Sequence, residues 1–173
     1  VHTFTGPGSF CVSDGGSPGG SNTVSYMVVG GGGSGGPANH AGGGGAGGFR
    51  ESRSADDSYT ASPLNATSGP TYNLPVTAQA YPITVGAGGS APTSPGTNSV
   101  GAKGSNSQFS SITSAGGGGA ASDVCQSSPN YSGGSGGGMR STCGTSYEGS
   151  GNTPPVSPPQ GTDGGVIPGS ANG

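Results

Sequence analysis

Two histidines, three cysteines and seven carboxylates are the groups in this chain that could do chemistry, and their spacing decides how much they can do. His40 lies in Pro37-Ala38-Asn39-His40-Ala41 between two glycine runs, where a turn would hold it at a tip, and His2 stands near the start. Neither has a second His, Cys or carboxylate at ligand spacing, so no metal ligand set is expected and His40 reads as an exposed turn residue. Asp56-Asp57, flanked by Arg50, Glu51 and Arg53, is the densest charge in the chain. Adjacent carboxylates with loop carbonyls would suit Ca²⁺, but a solvated polar loop is the commoner outcome for such a pair. Serines are plentiful, yet none sits in a nucleophile elbow with a histidine to serve it. Paired carboxylates in a structured cleft, which glycan hydrolysis needs, are also missing. The reading is a non-enzyme with no catalytic residue and no cofactor.

Cys125 and Cys143 lie eighteen residues apart in one Gly/Ser-rich stretch. A bridge between them would close a flexible loop and contribute ~3 kcal/mol. Cys11 is then left over, as a thiol available to a neighbouring chain or as a small buried hydrophobe or free thiol. Asn65-Ala66-Thr67 and Asn130-Tyr131-Ser132 match the N-glycosylation acceptor pattern, although a chain so rich in Ser, Thr and Asn supplies such triplets by chance. Tyr59, Tyr72, Tyr131 and Tyr147 lie among Ser, Gly and Asn, a composition that suits either an adaptable binding surface or local staples of the loops.

The elements that must position these groups are unusual. Of 173 residues 42 are Gly and 15 Pro, while charged residues make up 6% and hydrophobic ones 27%. That leaves too little apolar surface for a conventional two-layer core. The formal charge of −3 is thinly spread, with four Lys and Arg in all, so there is no basic stripe for nucleic acid. Uncharged Ser, Thr, Asn and Gln must keep the chain soluble, which suits an extracellular or virion setting. The sequence opens on Val1 without a leader, which reads as a removed leader or a fragment, and its longest apolar run, Met27-Val28-Val29, is far short of a membrane span.

Strand signals are short. Residues 1–5 and 9–12 read as a hairpin reversed by Gly6-Pro7-Gly8, and Thr23-Val24-Ser25-Tyr26-Met27-Val28-Val29 is the strongest strand, with Val24, Tyr26 and Val28 on one face. It feeds into Gly30-Gly31-Gly32-Gly33-Ser34-Gly35-Gly36. Tyr81-Pro82-Ile83-Thr84-Val85 and Gln108-Phe109-Ser110-Ser111-Ile112-Thr113 lead into glycines in the same way. Residues 50–65 and 72–79 read as polar loop or irregular extended chain. No stretch carries helical periodicity free of Gly or Pro, so no α-helix is expected. Asn152-Thr153-Pro154-Pro155-Val156-Ser157-Pro158-Pro159-Gln160 reads as a stiff polyproline II spacer. This divides the chain into a domain at 1–151 and a Pro/Gly-rich spacer or start of a further repeat at 152–173.

The glycine runs are interleaved with strands, which weakens a linker reading. They lack the Lys-Ser/Thr and the helix of a phosphate loop, and they break the strict triplet of collagen. What fits is the glycine analogue of polyproline II, a threefold extended helix whose amides all point sideways and can bond to neighbours in several directions. The fold class expected is therefore mainly β and extended, with short antiparallel strands combined with packed polyglycine II helices.

The ordered series from His2-Thr3-Phe4-Thr5-Gly6-Pro7-Gly8-Ser9-Phe10-Cys11-Val12, through Val24-Ser25-Tyr26-Met27-Val28-Val29-Gly30, Ala41-Gly42 to Phe49-Arg50 and Tyr81-Pro82-Ile83-Thr84-Val85-Gly86, to Ser107-Gln108-Phe109-Ser110-Ser111-Ile112-Thr113-Ser114 resembles the glycine-rich domain of phage tail-fibre proteins and secreted bacterial structural proteins. The resemblance covers nearly the whole chain and departs from the family pattern at Cys11 and at Cys125 and Cys143. It implies a non-enzymatic fibre module, in a tail fibre or adhesin, that packs polyglycine helices, assembles with copies of itself and presents loops to a host-surface glycan or protein. The alternative is a subunit or repeat of a secreted extracellular filament with a purely structural role. Neither reading inserts into a membrane.

Overall fold

The computed structural model describes residues 1–16, 22–36, 41–69, 71–92, 100–120, 128–140 and 147–167. Within them the chain forms ten short strands, mostly in antiparallel sheets, and one 3₁₀ turn at Pro129–Tyr131; no α-helix is present among the described residues. The main sheet has the order β1-β6-β7-β8, from Gly8–Cys11, Ala80–Thr84, Ser107–Phe109 and Ile112–Ser114. Three two-stranded sheets pair β2 (Thr23–Val24) with β5 (Leu74–Pro75), β3 (Tyr26–Val29) with β4 (Phe49–Ser52), and β9 (Met139–Arg140) in parallel with β10 (Val166–Ile167).

Period-two alternation places the side chains. Tyr26 and Val28 of β3 are buried while Met27 and Val29 on its other face are 66% and 48% exposed. The inward set meets Leu74, Val76, Tyr81, Phe109 and Ile112 in one apolar cluster, with Phe10, Val12, Val24 and Ile83 packed against it. Phe109 is its hub, with its ring 5.9 Å from Phe10 and 6.2 Å from both Tyr26 and Tyr81, each pair edge to face. Such rings gain ~0.5–1.5 kcal/mol per pair beyond the area they bury. The chain thus does possess an apolar interior, small and at one end, where composition alone argued against a core.

Several local expectations are corrected. Residues 1–5 form no strand: β1 pairs with β6 instead, Phe10 opposite Tyr81, and the His2 ring lies edge-on to Phe10 at 5.3 Å. Residues 107–114 are a tight hairpin rather than one strand, because Ser110 takes a left-handed φ of 54° and Phe109 then pairs with Ile112. Within 50–65, β4 is a strand despite its Arg and Glu, since β3 supplies an antiparallel partner from Tyr26↔Ser52 to Val29↔Phe49. Within 72–79, Leu74 and Val76 belong to the apolar cluster. The strongest strand is split at Ser25, whose hydroxyl bonds the Asp57 carboxylate and accepts the Ser54 amide at 2.8 Å.

The proline-rich segment also differs from the expected rod. Asn152 Oδ1 accepts the amides of both Val156 (3.0 Å) and Gln160 (3.2 Å), which folds the segment into a compact loop. An extended polyproline II rod, rising ~3.1 Å per residue, would hold those amides out of reach. Gln160, 1% exposed, accepts the Ala115 amide and donates to the Pro154 carbonyl, both at 2.8 Å, while its own carbonyl takes the Phe49 amide.

Five strands are continuous with glycine runs. β3 passes into 30–36, β6 into 85–89 and β8 into 115–120, while 42–48 passes into β4 and 101–106 into β7. The apolar cluster therefore holds the roots of these runs in register.

Candidate functional site

A pleated strand meets its neighbours in one plane and repeats every two residues. The glycine runs repeat every three. The amides of Gly30, Gly33 and Gly36 donate to the carbonyls of Gly48, Gly45 and Gly42 at 2.9, 2.8 and 3.2 Å, whereas those of Gly31 and Ser34 donate to Ser105 and Ala102, both at 2.9 Å. The carbonyls of Gly31 and Ser34 accept from Gly117 and Ala120 at 2.8 and 3.0 Å. With the Gly32 carbonyl taking the Gly89 amide at 2.8 Å, one run thus serves four neighbours. The 115–120 run lies inside this arrangement: Ala115 and Gly118 accept from Gly48 and Gly45, Gly117 and Ala120 accept from Gly104 and Gly101, and Gly118 donates to Ser135.

Close approach is what demands glycine here. A Cβ added to Gly116, Gly117, Gly118 or Gly119 would come within 3.0 Å of another run's backbone in every case. Along 132–138 the same closure holds at Gly133, Gly134, Gly136 and Gly137, and the remaining row carries Ser132, Ser135 and Gly138, the last with nothing nearer than 3.5 Å. Along this run side chains are admitted at every third position, whereas in 30–36 the Ser34 hydroxyl turns towards a neighbouring run and accepts the Ala102 amide at 2.8 Å.

Exposed positions of 30–36 and 42–48 define an open face. Gly32 and Gly35 are exposed, and a Cβ on either would sit 3.7 Å from its nearest neighbour; Gly43 is exposed with nothing within 4 Å, and Ala46 beside it is exposed too. Among the described residues the amides of Gly32, Gly35, Gly44 and Gly47 donate to no acceptor. The face is backbone with one methyl, at Ala46, and with donors that meet no acceptor among the described residues, comparable to the edge of a sheet.

A family model described as a glycine-rich domain matches residues 8–173. The chain belongs to the glycine-rich domain family. Neither the curated proteins nor the solved structures hold a match to it. The match runs through the strands, the glycine runs and the proline-rich loop of this glycine-rich domain alike.

The groups singled out in the sequence scatter over this glycine-rich domain. Cys11 is an exposed free thiol on β1. Cys125, Cys143 and His40 lie outside the described residues. Asn65 is half-buried, with its Oδ1 accepting the Arg53 amide at 2.7 Å, while Asn130 is exposed in the 3₁₀ turn. The charged loop is stapled to itself: Arg53 Nη1 donates to the carbonyls of Asp57 and Tyr59 at 2.7 and 2.8 Å, and its guanidinium stands 5.8 Å from the centre of the Tyr59 ring. Asp57 is engaged by Ser25. Tyr59 remains 43% exposed, whereas Tyr131 is buried with Tyr147 against it. Burial raises the hydroxyl pKa of Tyr26 and Tyr131, and burial with the nearby Glu51 charge raises that of Tyr59. Hydrogen bonds from Gln79 and Thr77 move Tyr81 the other way. The open glycine face was not foreseeable as a face; the one local sign of it is Ala46, a side chain that the 42–48 run carries on its exposed row.

Proposed function

We propose that this glycine-rich domain is a non-enzymatic structural fibre module that associates with copies of itself through its open glycine face, as a tail-fibre or adhesin module on a virion or an extracellular fibre would. The runs act as polyglycine II helices, and the three-residue recurrence of their hydrogen-bond partners supports that geometry. The observation that carries the self-association is the row of exposed residues Gly32, Gly35 and Gly44, whose amides donate to no acceptor among the described residues, beside a surface bearing no side chain larger than the Ala46 methyl. A second copy offering the same spacing of carbonyls would extend the internal bonding pattern across the boundary. The stapled loop around Arg53 and Tyr59, held at the apolar end, is a rigid element to present to a host-surface glycan or protein.

Gly43→Lys tests this reading directly. The position has open space around it, so the monomer is expected to keep its melting temperature within ~2 °C, the shift of a surface change below ~0.5 kcal/mol. Light scattering on the eluting protein should find the wild type as a concentration-dependent oligomer and the variant at the monomer mass. A wild type that stays monomeric at every concentration, or a variant that assembles equally well, removes the proposal. Electron microscopy of the assembly separates a closed oligomer from an open filament, which is the alternative form of the same role.

A further inference from the structure

Arg50 is anomalous among the charged residues. It is 6% exposed on β4, and among the described residues its guanidinium makes no hydrogen bond or ion pair. Its neighbour Glu51 does not neutralise it: strand alternation sends Glu51 to the opposite face, where its Oε2 accepts the Ser62 amide at 2.9 Å. None of its guanidinium nitrogens is sealed from solvent without a partner, so the part of Arg50 left accessible is an unpaired guanidinium edge open to a ligand.

Arg50 lines a cleft of about 390 Å³. The hydroxyl residues Thr71, Ser111, Thr113 and Ser157 surround it, and Thr71 Oγ1 is itself buried with no partner. Ile112 and Val156 supply an apolar wall. A planar guanidinium binds a carboxylate through two parallel N–H···O bonds, hydroxyls suit ring hydroxyls, and an apolar wall suits the C–H face of a sugar. The volume holds one such ring with room to spare.

We propose that this cleft binds a sugar acid, with the carboxylate on the Arg50 guanidinium and the ring hydroxyls on Ser111, Thr113 and Ser157. The site does not depend on self-association, and its test needs none.

The probe is D-galacturonate titrated into the full chain and followed by amide chemical shifts, with D-galactose as the neutral ring and inorganic phosphate as a ring-free anion. Galacturonate is expected to shift the amides of Ser111, Thr113 and Ser157 saturably, with galactose and phosphate each at least tenfold weaker. Arg50→Gln should reduce galacturonate affinity at least tenfold. Because Arg50 is buried, Ser157→Asp is the second variant: the residue is exposed, the fold should persist, and the added carboxylate should repel the ligand to a similar extent. Absence of galacturonate binding by the folded wild type overturns the proposal. So does equal binding of galactose, which would make the guanidinium irrelevant, or equal binding of phosphate, which would make the ring irrelevant. Undiminished binding by a folded Arg50→Gln or Ser157→Asp variant overturns it as well.

Discussion

Gly117→Ala is expected to lower the melting temperature by at least ~6 °C, whereas Gly35→Ala is expected to raise it by ~1–4 °C. The two changes add the same methyl group to the same kind of sequence, so helix or strand propensity cannot separate them. At Gly117 the new Cβ would fall within 3.0 Å of the Gly45 carbonyl oxygen and of the Ala46 carbonyl, both main-chain atoms of another run that cannot rotate away. Accommodating it must displace that run, at ~1–3 kcal/mol for overpacking. It also loosens the bonds Gly117 makes to the Gly31 carbonyl and takes from the Gly104 amide, each with a net value of ~0.5–1.5 kcal/mol. A total near or above ~3 kcal/mol is a large share of the ~5–15 kcal/mol that stabilises a domain. At Gly35 the methyl would rest 3.7 Å from the Gly42 carbonyl, an ordinary contact, and its main effect is to narrow the unfolded ensemble by ~0.4–1 kcal/mol. Scanning calorimetry of the two variants checks both signs. Equal shifts would mean that the three-residue row has no energetic content.

Phe109→Ala is expected to cost ~3–5 kcal/mol, the range for emptying a buried phenyl site. Its ring meets three others edge to face, and its strand joins β6 to β8 in the main sheet. Denaturant unfolding of Phe109→Ala against Phe109→Leu, which keeps most of the volume, measures it, and the leucine variant should lose less than half as much. The result bears on more than the cluster. β7 grows from the 101–106 run and β8 leads into 115–120, so loosening the hairpin frees the roots of two runs. Amide exchange in 115–120 should therefore accelerate together with that of the sheet. A lattice that stays protected while the cluster opens would show two independent units.

The strand character of 23–29, though not its break at Ser25, and the continuation of strands into glycines were legible in the sequence because alternation of Val, Tyr and Val is a local signal. The same holds for the absence of α-helix among the described residues. β4 was not legible: Phe49-Arg50-Glu51-Ser52 carries two charges, and only the antiparallel return of the 42–48 run brings it beside β3. The hairpin at 107–114 was hidden by an unremarkable Ser110-Ser111 pair in which Ser110 takes a positive φ where glycine or asparagine is the usual marker. Leu74 and Val76 were obscured by Pro75 between them, tolerated because β5 is only two residues long. The Arg50 cleft draws on residues 50, 71, 111–113 and 156–157, four segments that no local pattern connects. Composition misjudged the apolar cluster for another reason: it measures an average, and seven buried residues gathered at one end are enough to close it.

The buried 115–120 run has a thermal consequence. Unfolding a domain ordinarily raises the heat capacity because oily surface becomes hydrated, while newly wetted peptide groups lower it. Here much of what unfolding wets is peptide, so the increment per residue should fall below the usual ~12–15 cal/mol/K. The curve of free energy against temperature is then shallow and broad, and this protein should lose little of its stability on cooling.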